Sequence, residues 1–181
     1  MLKVLSRLCC VLFLTQNYAV GEILDSEKCR ESCPPGEEDK KEIFGDHCYY
    51  WSTAMKNWKG AEFHCQAMDG HLAAVTSLEI HNFLMKRVDK DIWDTEFWIG
   101  GRDKEKEGTW KWVDGSLWNF THWASEPVQQ PNRVTANDDC LQIYHPHATN
   151  GWNDLACVYK RQFICSWKLC SGNIDQKMVI L

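Results

Sequence analysis

Eight cysteines constrain this chain more than any other feature. The sequence holds ten, but Cys9 and Cys10 lie in an N-terminal segment built like a secretory leader. Lys3 and Arg7 form its basic region, Leu8 to Leu14 its apolar run, and Ala19-Val20-Gly21 the small residues of a cleavage site. Thr15-Gln16-Asn17 interrupts the apolar run, well short of the roughly 20 residues a membrane-spanning helix requires. Removal of residues 1–21 therefore predicts a secreted, extracellular protein with no membrane insertion. Its remaining cysteines would be oxidised in pairs. Their spacing permits many connectivities and fixes none. A zinc site is disfavoured, because Cys29-x3-Cys33 has no second pair at finger or ribbon spacing. His145-Pro146-His147 reads as a solvated loop.

With 181 residues, of which 12% are aromatic and ten are Trp, the chain has material for one well-filled core. Its formal charge is −5, and loss of Lys3 and Arg7 with the leader makes the mature chain more negative still. An acidic chain with no basic face excludes nucleic acid as a partner.

The stretch from Glu22 to Lys41 is polar, carries Pro34-Pro35-Gly36 and a charge run from Glu37, and resists packing. It reads as a neck leading into a hairpin closed near Cys33 and Cys48. Cys48-Tyr49-Tyr50-Trp51 then has the composition of a core strand. Met55, Trp58, Ala61, Cys65 and Met68 recur at helical steps, predicting a helix over 52–68 that Gly70 ends. A second helix opens at Thr76-Ser77-Leu78-Glu79, where Thr76 and Glu79 suit a reciprocal cap. Ile80, Phe83, Leu84 and Val88 form its apolar stripe. Further strands are expected at Phe97-Trp98-Ile99-Gly100, Trp110 to Val113, Cys140 to Tyr144 and Arg161 to Cys165. Ser116 to Asp139 has no regular period, and a loop that long in one domain is usually functional or disordered.

Several of these segments carry a resemblance. Trp58-x2-Ala61-x3-Cys65, Gly70-x-Leu72-Ala73-x-Val75-x-Ser77-x-Glu79, Trp98-Ile99-Gly100, Trp112-x-Asp114-Gly115, Trp152-Asn153-Asp154 and Cys157-x7-Cys165 occur in one order. That order resembles the C-type lectin-like family in its long form, including small secreted fish lectins. The resemblance implies an α+β domain over residues 33–167: two helices, two small antiparallel sheets and a long irregular ligand-binding loop, with a neck at 22–32 and a tail at 168–181. It also implies the pairs Cys33–Cys48, Cys65–Cys165 and Cys140–Cys157. Cys29 and Cys170 are left either to tie the two chain ends together or to link two copies into a homodimer.

On residue chemistry alone, Gln130, Asn132, Asp138, Asn153 and Asp154 are oxygen donors in the long loop and in a turn after the following strand. Calcium takes six to eight such oxygens, though polar loop residues are commonly just solvated. The resemblance gives these five residues a role as calcium ligands. Gln130-Pro131-Asn132 would be the proline-centred motif, with Pro131 in the cis form; Asp138 stands two residues before Cys140. A carbohydrate would complete the calcium shell with two vicinal hydroxyls, hydrogen-bonding to Gln130, Asn132, Asp138 and Asn153. Mannose-type relatives carry Glu-Pro-Asn and galactose-type relatives Gln-Pro-Asp, so Gln-Pro-Asn stands between them. Two carboxylates in place of three predict weaker calcium binding. An alternative motif, Glu126-Pro127-Val128, restores a carboxylate but puts Val128 at a ligand position. A further calcium site at Asp103, Glu107 and Asp139 is left unclaimed because Arg133 falls at another of its positions; the turn from Asp103 to Glu107 reads as solvated and charged.

Asn119-Phe120-Thr121 is a glycosylation sequon. No nucleophile elbow, triad order or metalloprotease helix is present, and His64 and His81 read as ordinary helix residues, so no enzyme is expected. The leading reading is a calcium-dependent lectin of innate defence that binds cell-surface or microbial glycans. The second uses the same fold to bind a protein or an ice surface.

Overall fold

In the computed structural model, residues 30–91, 96–103, 105–132, 139–144 and 151–170 are described, with the side chains of 88–91 and 144 excepted. A short 3-10 turn, Glu38–Lys40, precedes strand β1 (Lys41–Phe44) and strand β2 (His47–Lys56). Helix α1 (Trp58–Gln66), β3 (His71–Leu72) and helix α2 (Leu78–Asp91) follow. Then come β4 (Phe97–Arg102), β5 (Lys111–Trp112), β6 (Cys140–Tyr144), β7 (Gly151–Leu155) and β8 (Arg161–Lys168).

The strands join in the order β1-β2-β8-β4-β6-β7, with β3 attached to β8 and β5 to β4. All pairings are antiparallel except β4 with β8, where Phe97 and Trp98 lie beside Gln162 and Phe163 in parallel. That parallel contact welds the two expected small sheets into one mixed sheet of an α+β domain. Residues of β2 and β8 are buried in unbroken runs, as central strands covered on both faces are. Alternate side chains separate into two cores. Tyr49, Trp51, Phe97, Ile99, Ile143 and Ile164 face Leu84 and Met85 of α2. Tyr50, Trp98, Phe163, Cys165 and Trp167 face Trp58, Ala61 and Cys65 of α1.

Three disulfides join this frame, Cys33–Cys48, Cys65–Cys165 and Cys140–Cys157, the pairs the resemblance implied. Cys170 is also disulfide-bonded; Cys29 lies outside the described residues. Arg30 and Leu169 bridge in parallel, and the Cys170 N–H donates to the Arg30 carbonyl at 2.8 Å. Among the described residues no helix is long and apolar enough to cross a membrane.

Four local expectations need correction. Residues 52–56 extend β2 rather than opening α1, because pairing with β8 continues past a bulge to Lys56 opposite Arg161. Met55 is consequently exposed, and α1 begins where the Asn57 carboxamide accepts the Gly60 N–H at 2.9 Å. Gly70 is not the left-handed residue after α1; Asp69 is, at φ 61°. Gly70 is instead required for close approach, since a Cβ there would collide with the Trp167 indole and the Ser166 carbonyl. The cap of α2 is Ser77 rather than Thr76: its Oγ accepts the Ile80 N–H at 3.3 Å and it bonds the Glu79 side chain. Finally, Asn153 and Asp154 lie within strand β7, opposite Gln142 and Leu141, not in a turn.

Candidate functional site

The long loop is irregular in period yet fixed in place. Trp152, fully buried on β7, is its anchor. Trp112, Trp118, Phe120 and Trp123 stand around that indole with ring centroids 5.6 to 6.0 Å away. The contacts of Trp112, Phe120 and Trp123 are edge-on, and such pairs each add about 0.5–1.5 kcal/mol beyond area burial. The loop backbone then zips onto the strand. The Trp152 N–H donates to the His122 carbonyl at 2.7 Å, and the Ala124 N–H to the Trp152 carbonyl at 2.9 Å. Turning back, the Gln130 N–H donates to the Ala124 carbonyl at 2.8 Å.

This folding explains a glycine that sequence reasoning passed over. A Cβ on Gly151 would lie 2.5 to 2.8 Å from the Cα, N and Cβ of Ala124. The obstacle is largely backbone, so neither strand nor loop can yield without breaking the zipper. Gly151→Ala is expected to destabilise the protein by about 1–3 kcal/mol, the range for overpacking. Urea unfolding followed by tryptophan fluorescence measures it, and an unchanged midpoint would show that the loop yields freely.

At the end of the zipper, Gln130-Pro131-Asn132 is held against β7. The Asn132 N–H donates to Asp154 Oδ1 at 2.9 Å. Asp154 is 2% exposed and Asn153 8%. Gln130 is 6% exposed, and its amide Oε1 is buried without a hydrogen-bond partner. A buried acceptor left unmatched costs about 1–3 kcal/mol, so a group that supplies positive charge at that oxygen recovers a loss the fold otherwise carries. A hard cation suits the donor set, which is amide oxygens with a carboxylate beside them. Among the described residues no three His, Cys, Asp or Glu side chains cluster to hold a metal. An ion here would depend on the amides as much as on Asp154; Asp138 lies outside the described residues.

Both prolines of the loop follow cis bonds, Glu126–Pro127 and Gln130–Pro131, so isomer state does not separate the two motifs. Burial does. Glu126, Pro127 and Val128 are all exposed, whereas Gln130 is enclosed and Asn132 is tied to Asp154.

The turn after β4 departs from its expected solvation. Asp103 is 2% exposed, and its Oδ2 accepts the Gly108 N–H at 2.8 Å. Its own N–H donates to the Asp139 carbonyl at 3.2 Å, and its carbonyl accepts from Lys106 N–H at 3.1 Å. Asp103 thus organises the turn from within, because a buried carboxylate close to free backbone N–H groups is the cheapest way to satisfy them. Glu107 is exposed, and Arg133 lies outside the described residues. Asn119 and Thr121 of the sequon are both exposed.

Comparison with known proteins sets this geometry in context. The Lectin C-type domain profile matches residues 54–167. The hepatic lectin of Gallus gallus is 35% identical over 136 residues, covering 73% of this chain and 60% of its own length, so the chain spans well under the whole of that relative. The galactose-specific lectin nattectin of Thalassophryne nattereri is 30% identical over 159 residues, covering 87% of this chain and 94% of nattectin. A solved calcium-independent type II antifreeze protein superposes with a TM-score of 0.63 at 29% identity, covering 77% of this chain and 96% of its own.

Proposed function

From the premise that the chain belongs to the C-type lectin domain family, we propose that it is a calcium-dependent carbohydrate-binding protein, secreted and acting on glycans of cell or microbial surfaces. The observation that carries this reading is the buried, unmatched Gln130 Oε1 beside an Asn132 tethered to Asp154. Gln130, Asn132, Asn153 and Asp154, together with Asp138, would hold the ion through oxygen. Bound calcium supplies open coordination positions and a local positive charge that sugar hydroxyls can share. The protein's own part is to hold the amides in place. With their oxygens turned to the metal, the amide nitrogens of Gln130 and Asn132 are donors for the sugar. Asp138 is then the main acceptor. Two carboxylates rather than three make the calcium affinity modest.

The exposed sequon at Asn119 is a site for a glycan in the secretory path. No enzymatic step is assigned, and the relatives named above are lectins and an antifreeze protein.

A second reading has one observation behind it. A calcium-independent antifreeze protein shares this fold at an identity comparable to that of the lectins. In that case the loop would present a surface without needing metal.

Affinity chromatography separates the two. The oxidised, folded protein is passed over galactose and mannose resins in calcium and then in EDTA. Retention on one resin in calcium, with release by EDTA, is the expected result and identifies the sugar class. Folded protein that passes through both in calcium sinks the lectin reading; thermal hysteresis or EDTA-insensitive protein binding would then support the second.

A further inference from the structure

His81 of α2 and His122 of the loop are titratable side chains that sugar binding does not use. Their ring centroids are 4.2 Å apart with planes inclined by 48°. His81 is 1% exposed, and neither of its ring nitrogens has a hydrogen-bond partner. On its outer side His122 is stacked by Phe120 at 6.3 Å, nearly parallel. Burial pushes the His81 imidazole down to about 4, with the charge of His122 adding to the effect. Of the ionisable groups on α2 whose side chains are described, Glu79 is engaged by Ser77, Arg87 by Glu42, and Lys86 is exposed. From the loop the group facing His81 is His122 itself, and no carboxylate among the described residues bears on His81.

What gives this contact a consequence is its position. The His122 carbonyl holds the Trp152 N–H, and two residues on, Ala124 holds both the Trp152 carbonyl and the Gln130 N–H. The imidazole pair therefore sits at the root of the zipper that seats Gln130. We propose that the His81–His122 contact is a proton-operated latch between α2 and the ligand loop, closed at neutral pH and opened by acid. A proton on the His81 ring meets an apolar enclosure and a second imidazole with no acceptor arranged for it. The rings part, residues 122–124 leave β7, and the seat of Gln130 is lost.

The direction follows from linkage. His81 is held below its ordinary value of 6.5 while the loop is closed and regains that value when the loop opens. Closure is fully stable above about pH 6.5 and weakens as pH falls toward about 4. Uptake of one proton on opening makes opening about 30-fold more favourable at pH 5 than at pH 7.5. As regulation of ligand binding, the latch rests on the calcium reading above; as a property of the loop, it does not.

Amide hydrogen exchange on the full, oxidised protein without calcium tests it, after correction for the intrinsic rate at each pH. Protection at Ala124, Gln130 and Trp152 is expected to fall by up to about 30-fold from pH 7.5 to pH 5, while the β2–β8 amides stay protected. His81→Gln should remove the pH dependence. His81→Phe, which keeps a ring in the same enclosure without a titratable nitrogen, should do the same and carries the test if the first variant does not fold. Unchanged wild-type protection, or an equal fall in a folded His81 variant, overturns the latch. A latch that opens in exchange while the protein ignores both sugar resins leaves this inference standing and removes the lectin reading instead.

Discussion

Gln130→Ala is expected to abolish calcium-dependent retention on the sugar resin, while Glu126→Ala leaves it intact. The argument rests on what each side chain does in the folded loop. Gln130 is enclosed, its N–H bonds the Ala124 carbonyl, and its Oε1 has no protein partner. Truncation to Ala leaves the backbone bond in place but deletes that oxygen. Losing even an outer-shell partner of a metal ligand lowers affinity by about 10–100-fold, and a directly coordinating oxygen in a site with few carboxylates should cost at least as much. The variant also loses the packing of the buried side-chain stem, so a modest destabilisation in the metal-free state is expected alongside the loss of binding. Calcium titration by isothermal calorimetry, with urea unfolding in EDTA, separates these effects. If Glu126→Ala abolishes binding and Gln130→Ala does not, the exposed motif is the ligand after all.

The largest stability loss should follow the double substitution Cys65→Ala/Cys165→Ala. That bridge joins α1 to β8 between residues 100 apart in sequence, and both cysteines are fully buried. In the chain-entropy model a loop of that length is worth about 4.7 kcal/mol, a large part of the roughly 5–15 kcal/mol that holds a domain folded. The other two bridges span 15 and 17 residues, for which the same model gives about 3 kcal/mol each. The expected order of urea midpoints is therefore wild type first, then the Cys33/Cys48 and Cys140/Cys157 double variants together, then Cys65/Cys165 last. An equal loss from all three would mean that native packing around the sulfurs, rather than loop closure, sets their value.

Much of the frame was legible because short-range chemistry dictates it. Leu84 falls in the buried stripe expected of α2, and Trp98, Ile99 and Leu141 in the cores expected of their strands. The helix boundary near Ser52 was not, since the preference of residues 52–56 is decided by an available edge on β8, a partner over a hundred residues away. Asp103 shows the same limit. Its surroundings in sequence are charged and look solvated, yet backbone N–H groups of its own turn and the carbonyl of Asp139 enclose it. Gly151 carried no local signal at all, because the atoms that forbid a side chain there belong to Ala124.

The sequence by itself determined the family, the α+β class, the oxidised cysteines and a short set of oxygen-bearing candidates. All of these depend on residue identity, spacing and order, which are properties of the linear chain. Only the tertiary structure set the two proline motifs apart in burial. Both have suitable residues and both take the cis form, but one is exposed while the other is drawn under β7 by the Trp152 zipper. Burial is a property of what surrounds a residue, and the surroundings of Gln130 come from His122, Ala124 and β7 together. The same is true of the His81–His122 contact: neither histidine is unusual in its own segment, and their chemistry begins only where α2 meets the loop.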